Sequence, residues 1–219
     1  MDLCEEGTIA LVSHDYLPPE ALERPAGRRK VDEQRRLDLL TQIEAILLEE
    51  GFAKLSMDEL ATRLRCSKST LYGVGGSKND LVSLVVKRFF ESATERIEEE
   101  TAAESDHRRK IKVYLHGVGR EMGRHSAAFY DDMVTYRAAA DIYALNSAAA
   151  ARRVHEMIEE GVGAGQFRAV DAALASELVV LAIDGVRSGR LLRRTGLTAG
   201  QAFAEIGDIL LDGLQYQSE

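Results

Sequence analysis

The segment SMDELATRLRCSKSTLYGVGGSK, residues 56–78, leaves this chain little choice but two short helices joined by a tight turn. Ser56 is a good N-cap, and Glu59 three residues later completes the pattern in which side chain and backbone satisfy each other's free N–H groups. A helix is therefore expected from Met57, with Leu60, Ala61 and Leu64 on one apolar face and an end near Arg65 and Cys66. Ser67 then caps a second helix, Lys68-Ser69-Thr70-Leu71-Tyr72, whose Leu71 turns inward while Lys68, Ser69, Thr70 and Tyr72 offer donors outward. In outline this is a recognition helix for the major groove of DNA.

The rest of the composition agrees with an all-α chain. There are three prolines and 6% aromatic residues among 219, with Ala, Leu, Glu and Arg abundant, which favours helices over sheet. No window of eighteen apolar residues occurs, and the acidic start MDLCEEGTIALVSHDYLPPE lacks a basic leader, so a cytoplasmic location is expected. Cys4 and Cys66 are too few for a disulfide framework and lack metal-ligand spacing. The net charge of −8 runs against nucleic-acid binding only until its distribution is examined. Residues 1–27 carry six acids against Arg24, residues 28–78 carry ten bases against eight acids, and residues 79–219 carry seventeen bases against twenty-two acids. The segment with the two short helices is thus the one net basic part. Screening over about 10 Å lets such a local patch attract phosphates despite an acidic body.

Three parts follow from these patterns. Residues 1–28, with Pro18, Pro19 and Pro25 and no sustained period, read as an N-terminal extension ending in the basic cluster Arg28-Arg29-Lys30. Residues 29–78 form the helix-turn-helix head, whose first helix is expected over Val31–Glu50 with Leu37, Leu40, Ile43 and Leu47 on one face. Residues 79–219 form a larger helical domain, for about nine helices in the whole chain. A long fourth helix, capped by Ser77, should turn Leu81, Val85, Phe89, Ala93 and Ile97 inward. Further helices are expected near 107–124, 126–144, 146–161, 171–194 and 198–214. In Leu178-Val179-Val180-Leu181-Ala182-Ile183 the apolar residues go all round the helix, which suits either a subunit interface or a central core helix.

Catalytic and metal readings find little support. His107, His116 and His125 recur every nine residues, a spacing that turns successive side chains to opposite sides of a helix. No metal-ligand spacing, paired carboxylates or phosphate loop accompanies them, so neither enzyme activity nor a cofactor is expected. Met122, Phe129, Tyr130, Met133, Tyr136, Tyr143 and Met157 concentrate aromatics and thioethers in the middle helices. As a group they are the candidate lining of a ligand pocket, with His125 or Arg137 as polar anchor.

The first helix ending in EEGFAKLSMDELA, then LRCSKSTLY, then GSKNDL opening a long helix, resembles the head of TetR-family transcriptional repressors over about residues 31–90. The later GQFRAVDAALASELVVLAIDGV resembles that family's penultimate helix more loosely. The resemblance implies an all-helical homodimer, paired through the last two long helices, that binds double-stranded DNA at a palindromic operator and a small apolar or amphipathic inducer. It places base and phosphate contacts at Ser67, Lys68, Ser69 and Thr70, a phosphate contact at Tyr72, and a backbone-gripping lysine at Lys78. On this chain the pairing surface falls on Leu178, Leu181, Ala182, Phe203, Ile206 and Leu210. Two departures stand out: glycines at 73 and 75, where the family usually carries aromatics, suggest a mobile junction, and Arg65 occupies the turn where glycine is frequent. A positive φ there strains an arginine, though it also offers the duplex one more cation. The rival reading is a helical adaptor or ligand sensor of the same fold that does not read DNA.

Overall fold

The computed structural model describes residues 26–167 and 171–214, with side chains except at 26–32, 172, 176 and 211–214. The reading of residues 1–25 lies outside these, as do the side chains of Arg28, Arg29 and Lys30. Among the described residues there are ten helices and no strand. They are α1 (Ala26–Glu50), α2 (Met57–Arg63), α3 (Lys68–Gly75), α4 (Lys78–Ala102), α5 (His107–Met122), α6 (Ala127–Thr135), α7 (Arg137–Gly163), α8 (Ala172–Arg187), α9 (Arg190–Thr195) and α10 (Ala199–Leu214). Contacts divide the chain into Met1–Arg35, described only as the opening of α1, and Arg36–Glu219, which holds everything that follows here.

The head is built as the sequence implies. Leu40, Ile43 and Leu47 of α1 are buried together with Leu60 and Ala61 of α2, Leu71 of α3, and Leu81, Val82 and Val85 of α4. Leu37, expected on that face, is 43% exposed. Residues 73–76, expected as a mobile junction, lie within α3 and at its C-cap. Gly73, Val74 and Gly75 complete α3, and Val74 is buried with its carbonyl accepting from Arg36 at 3.1 Å. An ideal Cβ on Gly75 would lie 2.7 Å from Leu81 Cα, so the small residue lets α3 approach the backbone of α4.

α4 runs on from the head into the body, packing against α5 and α7. The helix expected over 126–144 is interrupted at Tyr136, whose backbone is extended (φ −82°, ψ 112°). Its ring meets Phe52 edge-on at 5.5 Å and its hydroxyl donates to Asn79, so two partners distant in sequence hold it out of helical register. The break expected near 145 is absent, because the alanines at 138–140 and 148–151 favour continuing α7. The expected helix 171–194 is divided into α8 and α9 at Gly189, which has φ +66°. α5 and α10 cross on glycines, with Gly119 and Gly200 face to face.

Candidate nucleic-acid interface

The turn between α2 and α3 is fixed by local hydrogen bonds. The capping box at Ser56 and Glu59 is formed, and the retained hydrogen bonds hold the Glu59 carboxyl below its ordinary range. At the far end of α2, Arg65 takes φ +49° and the Cys66 N–H returns to the Ala61 carbonyl at 3.0 Å. A left-handed arginine is uncommon and carries a conformational cost, and here it directs α3 outward. Ser67 then caps α3, its Oγ accepting from the Thr70 N–H at 3.1 Å and lying 2.7 Å from both Ser69 Oγ and Thr70 Oγ1.

This places Ser67, Lys68, Ser69 and Thr70 together on an exposed face, with Arg65 exposed beside them and Tyr72 46% exposed one turn on. Leu71, fully buried, anchors the helix from behind. Lys68 pairs with Asp58 at 2.5 Å, and that hydrogen bond raises its pKa, so it stays charged. Both partners are well exposed, and solvent screening leaves such a pair weak, so exchange onto a phosphate is cheap. Lys78 is placed differently. Its Nζ donates to the Ala53 carbonyl at 2.8 Å and lies 5.9 Å from the Tyr136 ring centroid, so it ties the start of α4 to the α1–α2 loop.

The same loop is held from the body. Asp132 of α6 accepts the Phe52 and Ala53 N–H groups at 2.5 and 2.7 Å, and the Ser126 N–H donates to the Leu48 carbonyl at 2.8 Å. Nothing in the local sequence marks Asp132 for this role, since its partners lie about eighty residues away.

In the body, α4, α5, α7, α8 and α10 enclose a cavity with about 50 Å³ of water-accessible space, walled by Phe89, Phe90, Tyr114, Met122, Tyr143 and Phe203 among others. Of the expected pocket residues, Met122 and Tyr143 line it. Phe129, Tyr130, Met133 and Met157 are buried in packed core instead, Tyr136 covers Phe52, and Arg137 is exposed. His125 stacks on Tyr130, meets Phe89 edge-on and Phe129 at a tilt, and is not in the wall. Burial lowers its pKa, leaving a neutral ring whose Nδ1–H donates to the Ser126 carbonyl at 3.1 Å. Sequence reasoning missed Phe89, Phe90 and Tyr114. The inward stripe Phe89-Ala93-Ile97, already assigned to α4, was the available signal.

One carboxylate reaches the cavity wall. Glu121 is buried, accepting from Arg96 at 2.7 and 3.2 Å and from Arg124 at 2.9 Å. Burial pushes its pKa up, but the guanidinium hydrogen bonds outweigh this and hold the carboxyl below the ordinary value of 4.5. A depressed folded-state pKa means that the stabilisation is complete above the ordinary value and is lost as pH falls through the lower folded one. Melting followed by circular dichroism should therefore show a steep loss of stability below pH ~4.5. Glu121→Gln should cost about 1–3 kcal/mol at pH 7 and flatten that acid limb. An unchanged acid limb in the variant would contradict this assignment.

The residues expected on the pairing surface differ in exposure. Leu178 and Leu181 are 59% and 53% exposed, and Ala182, Ile206 and Leu210 are half-buried. Phe203 is a correction: it is 4% exposed and fills the cavity wall, out of reach of a second molecule. Leu174 and Ile209 are exposed as well, and so is Val180, on another side of α8. The spacing of Leu174, Leu178 and Leu181 along one helix face was the missed signal.

No family model matches the chain. It is similar to the HTH-type transcriptional activator FasR of Mycolicibacterium smegmatis, 24% identical over 174 residues that cover 75% of this chain and 78% of the relative. Among solved structures it is similar to a TetR transcription regulator from Haloarcula marismortui, with TM-score 0.67 and 17% identity over 84% of this chain and all of that one. It is also similar to a transcriptional regulator from Saccharomonospora viridis in complex with choline, with TM-score 0.66 and 17% identity over 84% of this chain and all of that one. The fold is that of TetR-family transcriptional regulators, an all-helical body behind a helix-turn-helix head. Each of these relatives is named as a regulator. No helix among the described residues is long and apolar enough to cross a membrane.

Proposed function

We propose that the chain is a ligand-responsive, sequence-specific DNA-binding regulator of transcription that works in the cytoplasm as a homodimer. The observation that carries this reading is α3 itself, capped by Ser67, anchored by Leu71 and presenting Lys68, Ser69, Thr70 and Tyr72 outward. Two such helices, paired through the exposed apolar stripes of α8 and α10, enter successive major grooves. A palindromic operator with half-sites about 34–36 Å apart, or a multiple of that, follows from one turn of duplex. The regulator is read as a repressor, released when a small apolar or amphipathic molecule enters the aromatic cavity. In this conformer the cavity holds only about three or four waters. A larger ligand must part α4 from α5 and α7, and so selects a state in which the end of α4 nearest the head has moved.

Selection of bound duplexes from a random pool at stated salt tests the reading, and an enriched inverted repeat is expected. Against the selected duplex, Lys68→Ala in both subunits should weaken binding for all sequences and make the salt slope shallower by about 1.8. Thr70→Ala should cost about 1–3 kcal/mol mainly by relaxing one base position. A pool that enriches nothing, with Lys68→Ala inert, would instead favour an adaptor or ligand sensor without DNA reading. FasR is named as an activator, so a transcription assay on the selected site decides the sign of regulation.

A further inference from the structure

Residues 187–194 hold Arg187, Arg190, Arg193 and Arg194, four of the seventeen bases in the acidic stretch 79–219. α9 presents three of them in a fixed way. Gly189 and Gly196, with φ +66° and +75°, set both ends of the helix, while Leu191 and Leu192 pack against the core. Arg190, Arg193 and Arg194 stand at positions i, i+3 and i+4, and therefore share one exposed face. Arg187 is taken up by Asp184 at 2.7 and 3.0 Å. Among the described residues no carboxylate pairs with the other three, and Arg193 reaches only the Ser188 carbonyl at 3.4 Å. Like charges so spaced repel and destabilise a helix, so local folding does not account for the arrangement. An anion from outside does.

The position of α9 identifies that anion. The Val186 carbonyl, just before α9, accepts the Tyr130 hydroxyl of α6. Two residues further along α6, Asp132 holds the Phe52–Ala53 loop of the head. Beyond α9, Gly200 lies against Gly119 and Gly123 at the end of α5, close in sequence to Ser126 with its bond to Leu48 of α1. Both neighbours of α9 thus belong to the end of the body that adjoins the head. Arginine forks match phosphate oxygens in pairs.

We propose that the face formed by Arg190, Arg193 and Arg194 is a second phosphate-binding surface, by which the body grips the backbone of the duplex that α3 reads. This rests on the DNA-binding reading above. The test is anisotropy titration of the full chain on duplexes of about 40 base pairs, one carrying the selected sequence and one random, over about 50–300 mM salt. R190Q/R193Q/R194Q removes three contacts from each subunit of the dimer and should make the salt slope shallower by about 5 on both duplexes and weaken binding roughly tenfold or more, while replacement of all three by lysine should keep the slope. Arg194→Gln alone, present in both subunits, should remove about 1.8 of the slope, which covers the case of a triple variant that melts early. If the glutamine variants bind as the wild type does while Lys68→Ala weakens binding, the DNA-binding reading stands and this surface is refuted, leaving an acidic protein as its partner. If the wild type binds neither duplex, both readings fail.

Discussion

Phe129→Ala should lower the melting temperature by about 10 °C or more. The ring is fully buried, meeting Phe52 at 5.5 Å, Phe89 at 5.8 Å and His125 at 5.2 Å. Truncating such a side chain costs about 3–5 kcal/mol from lost burial and the cavity left behind. In a chain of this size each kcal/mol shifts the midpoint by about 2–4 °C. The position has a second consequence, because Phe129 and Asp132 share α6 and both reach the loop at Phe52 and Ala53. Amide exchange at residues 51–55 should quicken in the variant more than at α7. A variant that melts within a degree or so of the wild type would refute the wedge assigned to this ring.

Gly200→Ala should be nearly as damaging, for the opposite reason. An ideal Cβ there would stand 2.6 Å from the Gly119 carbonyl oxygen, and one on Gly119 would stand 2.7 Å from the Gly200 oxygen. Both obstacles are backbone, so relief requires parting α5 from α10. Overpacking of this kind costs about 1–3 kcal/mol, which amounts to roughly 3–10 °C in the midpoint. Having parted once, the helices accommodate the second methyl at little extra cost, so the double variant should lose less than the sum of the singles. Gly163→Ala is the matched control, with nothing within 4 Å of its Cβ position, and should be neutral or slightly stabilising. Equal melting of Gly200→Ala and the control would show that the close crossing is absent.

What could be read from the sequence was what depends on near neighbours. The caps at Ser56 and Ser67 lie within three residues of the groups they satisfy, so both head helices start where their sequence indicates. The turn residue Arg65 does adopt a positive φ. Distant pairing was not legible. Tyr136 interrupts a helix for partners at Phe52 and Asn79, and Lys78 is held by the Ala53 carbonyl. The aromatic-rich middle helices announced a large apolar interior, but whether a ring fills core or walls a void depends on how the helices cross. Hence Met122 and Tyr143 line the cavity while Phe129 and Met133 do not. Phe203 failed for a related reason: α10 is apolar on more than one side, and only packing on α5 decides which side is inner.

The continuity of α4 has a mechanical consequence. Its twenty-five residues make a rod about 37 Å long at 1.5 Å per residue. Phe89, Phe90, Ala93 and Ile97 wall the cavity from the middle of that rod outward, and Lys78 and Leu81 touch the head at its near end. A 5° pivot near the far end carries the near end through about 3 Å, most of one base-pair rise. On the proposed function, such a rod would act as an amplifier, in which a swelling of the interior no wider than a methyl group becomes a change of stride along the double helix.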